Sequence, residues 1–227
     1  MNQGAFSFPN GGRNRVPMRN WRKFDQGGTF SFTVPDGVTL LRLNLWGGGG
    51  SGGCSNGNGP AGGGAGGAFA QAMLSVLPGE TLTIVNGGGA SGATNQNGGS
   101  AGGNSTITHN GIQILFAGGG NGGGVYGSGA PSGGTYSVTA PAINTGRSEN
   151  GKAGMANFQD GATVGGYGGA AGGVALGGGG YTSNTDDGNM RRGHIGNFPG
   201  GGGSGGNDSY AAGGHGANGM ALVEWWI

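Results

Sequence analysis

Charge is scarce in this sequence. Charged residues make up 8% of the chain and the formal net charge is +1, a balance that argues against a nucleic-acid binder. Cysteine is nearly absent: Cys54 has no second thiol to pair with, and one cysteine with three scattered histidines does not make a zinc site. The eight prolines are too few for a collagen triple helix, which also needs an unbroken Gly-X-Y register. No run of 18 apolar residues occurs, so no membrane-spanning helix is expected. The opening "MNQGAFSFPNGGRNRVPMRN" lacks the charged-then-apolar layout of a secretory signal, which predicts a soluble product made in a cytoplasm. No helical period persists over ten residues, so little or no α-helix is expected.

Glycine fills the gap, at 66 of 227 residues. Such a content is the mark of low complexity or disorder, but here glycine tracts alternate with apolar runs. "TFSFTV" places Phe30, Phe32 and Val34 on one face, "PDG" supplies turn chemistry, and "VTLLRLNLW" sets Leu41, Leu43 and Leu45 against Arg42 and Asn44. This predicts a β-hairpin at about 29–46. Further strands are expected at 68–76, 80–85, 105–108, 112–116, 135–140 and, as the C-terminal strand, 220–227.

Within the tracts a period of three recurs: "GGSGGC" (49–54), "GGAGGA" (63–68), "GGYGGA" (165–170) and "GGSGGN" (202–207). Three residues per turn is the geometry of a polyproline II helix, whose amides point sideways. Without Cβ atoms such helices can approach closely and pair laterally, which offsets the roughly 1–2 kcal/mol of backbone entropy lost per ordered residue. The third residue of each triplet, Ala65 and Ala68 among them, is expected to project from the bundle. The fold class is therefore all-β plus a packed polyglycine II array. An ordinary β-sandwich or barrel with long glycine loops, and substantial disorder, are the alternatives.

Five of the ten basic residues, Arg13, Arg15, Arg19, Arg22 and Lys23, fall within eleven positions, and no acid precedes residue 25. With Trp21 beside them, residues 1–24 are read as a basic attachment arm for an acidic partner, against the alternative of a solvated terminus. Residues 25–227 form the glycine-rich domain.

Catalytic patterns carry little weight. Ser51, Ser100 and Ser204 sit in contexts that match G-x-S-x-G, but so glycine-rich a chain produces such matches by chance, and no helix follows any of them. His109, His194 and His215 have no triad context. "NTDDGN" (184–189) has calcium-type oxygen ligands without the spacing of a calcium loop. No catalytic residue, cofactor or metal is assigned, and an enzyme is not expected.

"FSFTVPDGVTLLRLNLWGGGGSGG", "GGAGGAFAQAMLSVLPGETLTIVNGGGASG" and the closing "GGHGANGMALVEWWI" resemble the glycine-rich domain of bacteriophage tail-fibre and tail-tip proteins. More distantly, they are similar to the tail-fibre tip adhesins of T-even phages. The resemblance implies a polyglycine II sandwich in the virion tail. It also implies inter-tract loops that bind an outer-membrane protein or glycan of the bacterial host. By chemistry and location the candidate loops are 125–152, with Tyr126, Tyr136, Asn144, Arg147 and Glu149, and 181–198, with Tyr181, Asp186, Asp187, Arg191, Arg192, His194 and Phe198. Expected partners are other tail or fibre proteins through the arm and a bacterial surface receptor, with no nucleic acid. The assembly is a homotrimer or a single tip subunit. The alternative function is a purely structural virion component.

Overall fold

A computed structural model describes residues 18–55, 59–125, 128–155, 158–160, 162–164, 166–173, 192–207 and 211–227. The strands are β1 (Arg19–Phe24), β2 (Gly28–Thr33), β3 (Leu40–Trp46), β4 (Phe69–Ser75), β5 (Thr81–Asn86), β6 (Ser105–His109), β7 (Ile112–Ala117), β8 (Tyr136–Val138), β9 (Ile143–Asn144), β10 (Phe158–Asp160), β11 (Ala162–Val164) and β12 (Met220–Trp226). The described residues contain no helix, so the chain is all-β as its patterning predicts.

Two five-stranded antiparallel sheets, ordered β1-β12-β3-β4-β9 and β2-β5-β6-β7-β8, face each other. Alternation along each strand sends one set of side chains inward. Leu41, Leu43, Leu45, Leu74, Ala221 and Val223 from the first sheet meet Phe32, Leu82, Ile84, Ile107 and Leu115 from the second in one buried cluster.

The expected hairpin at 29–46 is corrected. Both strands lie where the alternation puts them, yet β2 pairs with β5 and β3 with β12 and β4. The Pro35–Gly37 turn, with Gly37 at φ 77°, is a corner that carries the chain from one sheet to the other. A turn signature specifies a change of direction, whereas the pairing partner is set by which apolar faces meet across the core.

The described part of residues 1–24 is also integrated more closely than an arm. Arg19–Phe24 is the edge strand β1, paired along its length with β12, and Phe24 is buried against Phe30 with ring centroids 5.3 Å apart. Arg13 and Arg15 lie outside the described residues.

The glycine tracts extend from the ends of the strands and bond to one another sideways. Gly47, Gly50 and Gly53 donate to Ala68, Ala65 and Gly62; Gly48, Ser51 and Cys54 donate to Gly103, Ser100 and Asn97; Gly49, Gly52 and Ser55 donate to Ala217, Gly214 and Ala211. Each third residue thus faces the same neighbour, at 2.8–3.0 Å. Carbonyls of the same tract accept from three further segments: Gly48 and Ser51 from Gly120 and Gly123, Gly49 and Gly52 from Ala90 and Ala93, Gly50 and Gly53 from Gly203 and Gly206. Tract 47–55 therefore has six neighbours, three antiparallel and three parallel.

Tract 61–68 repeats the rule. Ala61, Gly64 and Gly67 donate to Gly206, Gly203 and Gly200; Gly62, Ala65 and Ala68 to Gly124, Asn121 and Gly118; Gly63 and Gly66 to Met155 and Lys152. Because neighbours surround it, Ala65 and Ala68 are fully buried rather than projecting, a second correction. The other side chains in the two tracts are equally small, and Ser51, Cys54 and Ala61 are likewise buried.

Candidate interaction surface

The hydrogen-bond register gives the array a direction. Segments 47–55, 87–93, 118–124, 149–155 and 200–206 run away from the sandwich, while 61–68, 97–103, 166–172, 193–197 and 211–217 run back. Hence the array has a near end, where tracts join strands, and a far end, where they reverse. At the far end the chain turns between Ser55 and Ala61, at Thr94–Asn97, between Gly124 and Pro131, through the β10–β11 hairpin between Met155 and Gly166, and between Asn207 and Ala211.

The Thr94–Asn97 turn closes with an Asn97 N–H to Thr94 carbonyl bond of 3.2 Å. Asn95 and Gln96 take φ 55° and 62°, and both side chains are exposed. Asparagine tolerates this left-handed region because its short amide bonds locally. Met155 and Tyr167, 43% and 42% exposed, flank the hairpin connection at the same end. These residues were not singled out in the sequence, although the run "TNQN" between two glycine tracts carries a turn signal.

The two loops chosen from sequence are distributed differently. Of loop 125–152, Tyr126 lies outside the described residues, residues 136–147 sit at the sandwich, and 149–152 begin an array tract. Tyr136 in β8 is half-buried against the main core. Asn144 in β9 and Arg147 are exposed, with the Asn144 Oδ1 accepting the Gly146 N–H at 2.9 Å. Glu149 pairs with Lys152 and accepts the Gly173 N–H at 3.1 Å. The Lys152 hydrogen bond, the Gly173 amide and the Lys152 charge hold its carboxyl below the ordinary value of 4.5.

Of loop 181–198, Tyr181, Asp186, Asp187 and Arg191 lie outside the described residues. Arg192, His194 and Phe198 are exposed along a flank of the array, Arg192 toward the far end and Phe198 toward the sandwich. Among the described residues, Asn144 and Arg147 thus lie at the sandwich, whereas Arg192 and His194 lie along the array.

Arg19, Trp21, Arg22 and Lys23 share β1. Arg19 pairs with Glu224 of β12, Lys23 bonds Asp25 at 2.7 Å, and the Arg22 guanidinium lies 5.2 Å from the Phe24 ring centroid. Trp21 is 61% exposed.

The hydroxyls of two of the three serines in G-x-S-x-G contexts are engaged by backbone. Ser51 accepts the Ser100 N–H and Ser204 the His194 N–H, and both serines are fully buried inside the array. Neither is placed as an exposed nucleophile.

No curated protein matches the chain in sequence. The model of the glycine-rich domain family matches residues 25–226, nearly the whole chain and both layers of the structure. The chain belongs to the glycine-rich domain family.

Proposed function

We propose that the chain is a non-enzymatic attachment protein of a bacteriophage tail, fixed to the particle at its sandwich end and meeting the bacterial surface at the far end of its glycine array. The tracts are polyglycine II helices, and their lateral hydrogen bonds make a stiff spacer. One observation carries this reading: through the two central tracts the side chains are hydrogen, methyl, hydroxyl or thiol and all are buried, so recognition chemistry is displaced to the ends and the outer flank of the array. A body of this kind suits presentation of loops on a rigid scaffold. The receptor is an outer-membrane protein or a glycan, contacted by the far-end turns together with the 181–198 loop.

The test is double replacement of Asn95 and Gln96 by glycine, which keeps the left-handed turn and removes both amides. Exchange of residues 181–198 complements it. The expected result is normal particle assembly with reduced adsorption to the host. Unchanged adsorption with lost assembly would overturn the reading in favour of a purely structural virion component.

A further inference from the structure

The outer face of the β1-β12-β3-β4 sheet, turned away from the core, carries a second constellation. Partners in an antiparallel ladder share a face. One row reads Trp21, Glu224, Arg42, Met73 and Ile143; the next reads Lys23, Leu222, Asn44 and Gln71; Arg19 stands opposite Trp226. Glu224 is only 2% exposed although it faces outward. Its Oε1 takes Arg19, and its Oε2 takes the Asn44 amide at 2.9 Å with Arg42 Nη1 at 3.6 Å. Asn44 Oδ1 accepts from Gln71 Nε2 at 2.6 Å, and Gln71 Oε1 accepts from Thr145 Oγ1 at 2.8 Å.

This ladder, rooted in the buried Glu224 carboxylate, gathers two part-exposed guanidiniums with donors to spare, since a guanidinium has five. The Arg42 guanidinium also lies 5.4 Å from the Trp226 ring centroid. Beside them Arg19, Trp21 and Leu222 line an open groove of about 370 Å³, near the lower bound of ligand-sized clefts. At this face Arg19, Lys23 and Arg42 stand against a part-exposed Asp25 and a sunken Glu224, three basic groups to two acidic, and the acid that Arg19 and Arg42 share is withdrawn from solvent while both guanidiniums remain part-exposed. Exposed tryptophan next to arginine is the composition of interface hot spots.

We propose that this face docks an acidic peptide segment of another protein. A large apolar side chain of that segment fills the groove against Trp21 and Leu222, and its carboxylates bind Arg19 and Arg42. The origin of the segment, another tail protein, rests on the function proposed above; the chemistry of the surface does not.

The experiment pans the full chain against a displayed library of random peptides and measures a synthetic consensus peptide by titration. The expected consensus joins Asp or Glu to Trp, Phe or Leu. Binding should weaken by about 30-fold in Trp21→Ala, fall in Arg42→Gln, and decline with added salt, while the thermal midpoint of Trp21→Ala stays near that of the parent. Peptides lacking acids, no enrichment, or binding indifferent to Trp21→Ala would overturn the proposal. Virions that retain a Trp21→Ala chain at full occupancy would refute the tail origin of the segment; host adsorption by the far end is read separately.

Discussion

A methyl group on Gly52 would lie 1.9 Å from the Ser204 carbonyl oxygen, and one on Gly66 would lie 2.0 Å from that of Ala170. Both obstacles are backbone, so neither can rotate away, and glycine is required for the approach that the lateral hydrogen bonds need. At Gly129 an added methyl meets nothing within 4 Å. Gly52→Ala should therefore lower unfolding stability by about 3 kcal/mol or more. Gly129→Ala should change it by less than about 1 kcal/mol, with a small gain from the stiffer unfolded chain. Chemical denaturation of the two variants checks the contrast.

Glu149 carries a pH dependence at the same scale. Its carboxyl titrates below the ordinary value of 4.5 in the folded chain, so its contribution is present above pH 4.5 and is lost as pH falls through the depressed value. Glu149→Gln should flatten that part of the acid limb of the stability profile, measured by thermal midpoint against pH.

Among the elements, β12 serves both faces of its sheet. It sits between β1 and β3, contributes Ala221 and Val223 to the core, and supplies Glu224 to the outer face. The tract leading into it, 211–217, is one of the six neighbours of the central tract. Removing Met220–Ile227 would leave β1 without a partner and expose the faces of Leu43 and Leu45. The truncated chain should therefore lack cooperative unfolding and dispersed amide resonances. Leu43→Ala, by contrast, should fold with a loss of about 2–5 kcal/mol, read by denaturation.

Strand positions were legible because alternation reports burial directly: Phe30, Phe32 and Val34, and then Leu41, Leu43 and Leu45, all lie where the period of two puts them. Their pairing was not legible, since "PDG" reads the same at a hairpin and at a corner between sheets. The basic cluster at 13–23 hid a strand because Arg22 and Lys23 obscure the alternation that ends in buried Phe24. Ala65 and Ala68 were misplaced for a geometric reason. A triplet period identifies three faces of a tract, but whether a face meets solvent depends on how many tracts surround it, and tract 61–68 lies inside. The far-end turn at Asn95 and Gln96 was visible as a turn, with nothing local to show that it gathers with the other reversals.

At the scale of the whole molecule, a sandwich with a conventional apolar core anchors an array whose interior is almost entirely backbone. Each buried tract residue must recover in lateral hydrogen bonds the entropy of ordering a glycine, roughly 1–2 kcal/mol, and a buried N–H left unpaired would cost about 1–3 kcal/mol more. Order in the tracts is thus collective: no tract is expected to persist without its neighbours, and none should open alone. Residue-resolved amide hydrogen exchange on the intact chain tests this most directly. Amides of Gly47–Ser55 and Ala61–Ala68 should be protected to the same degree as those of β3 and β12, exchanging only on global unfolding. Exchange of these glycine amides at the rate of an open chain, while the strands stay protected, would contradict the account.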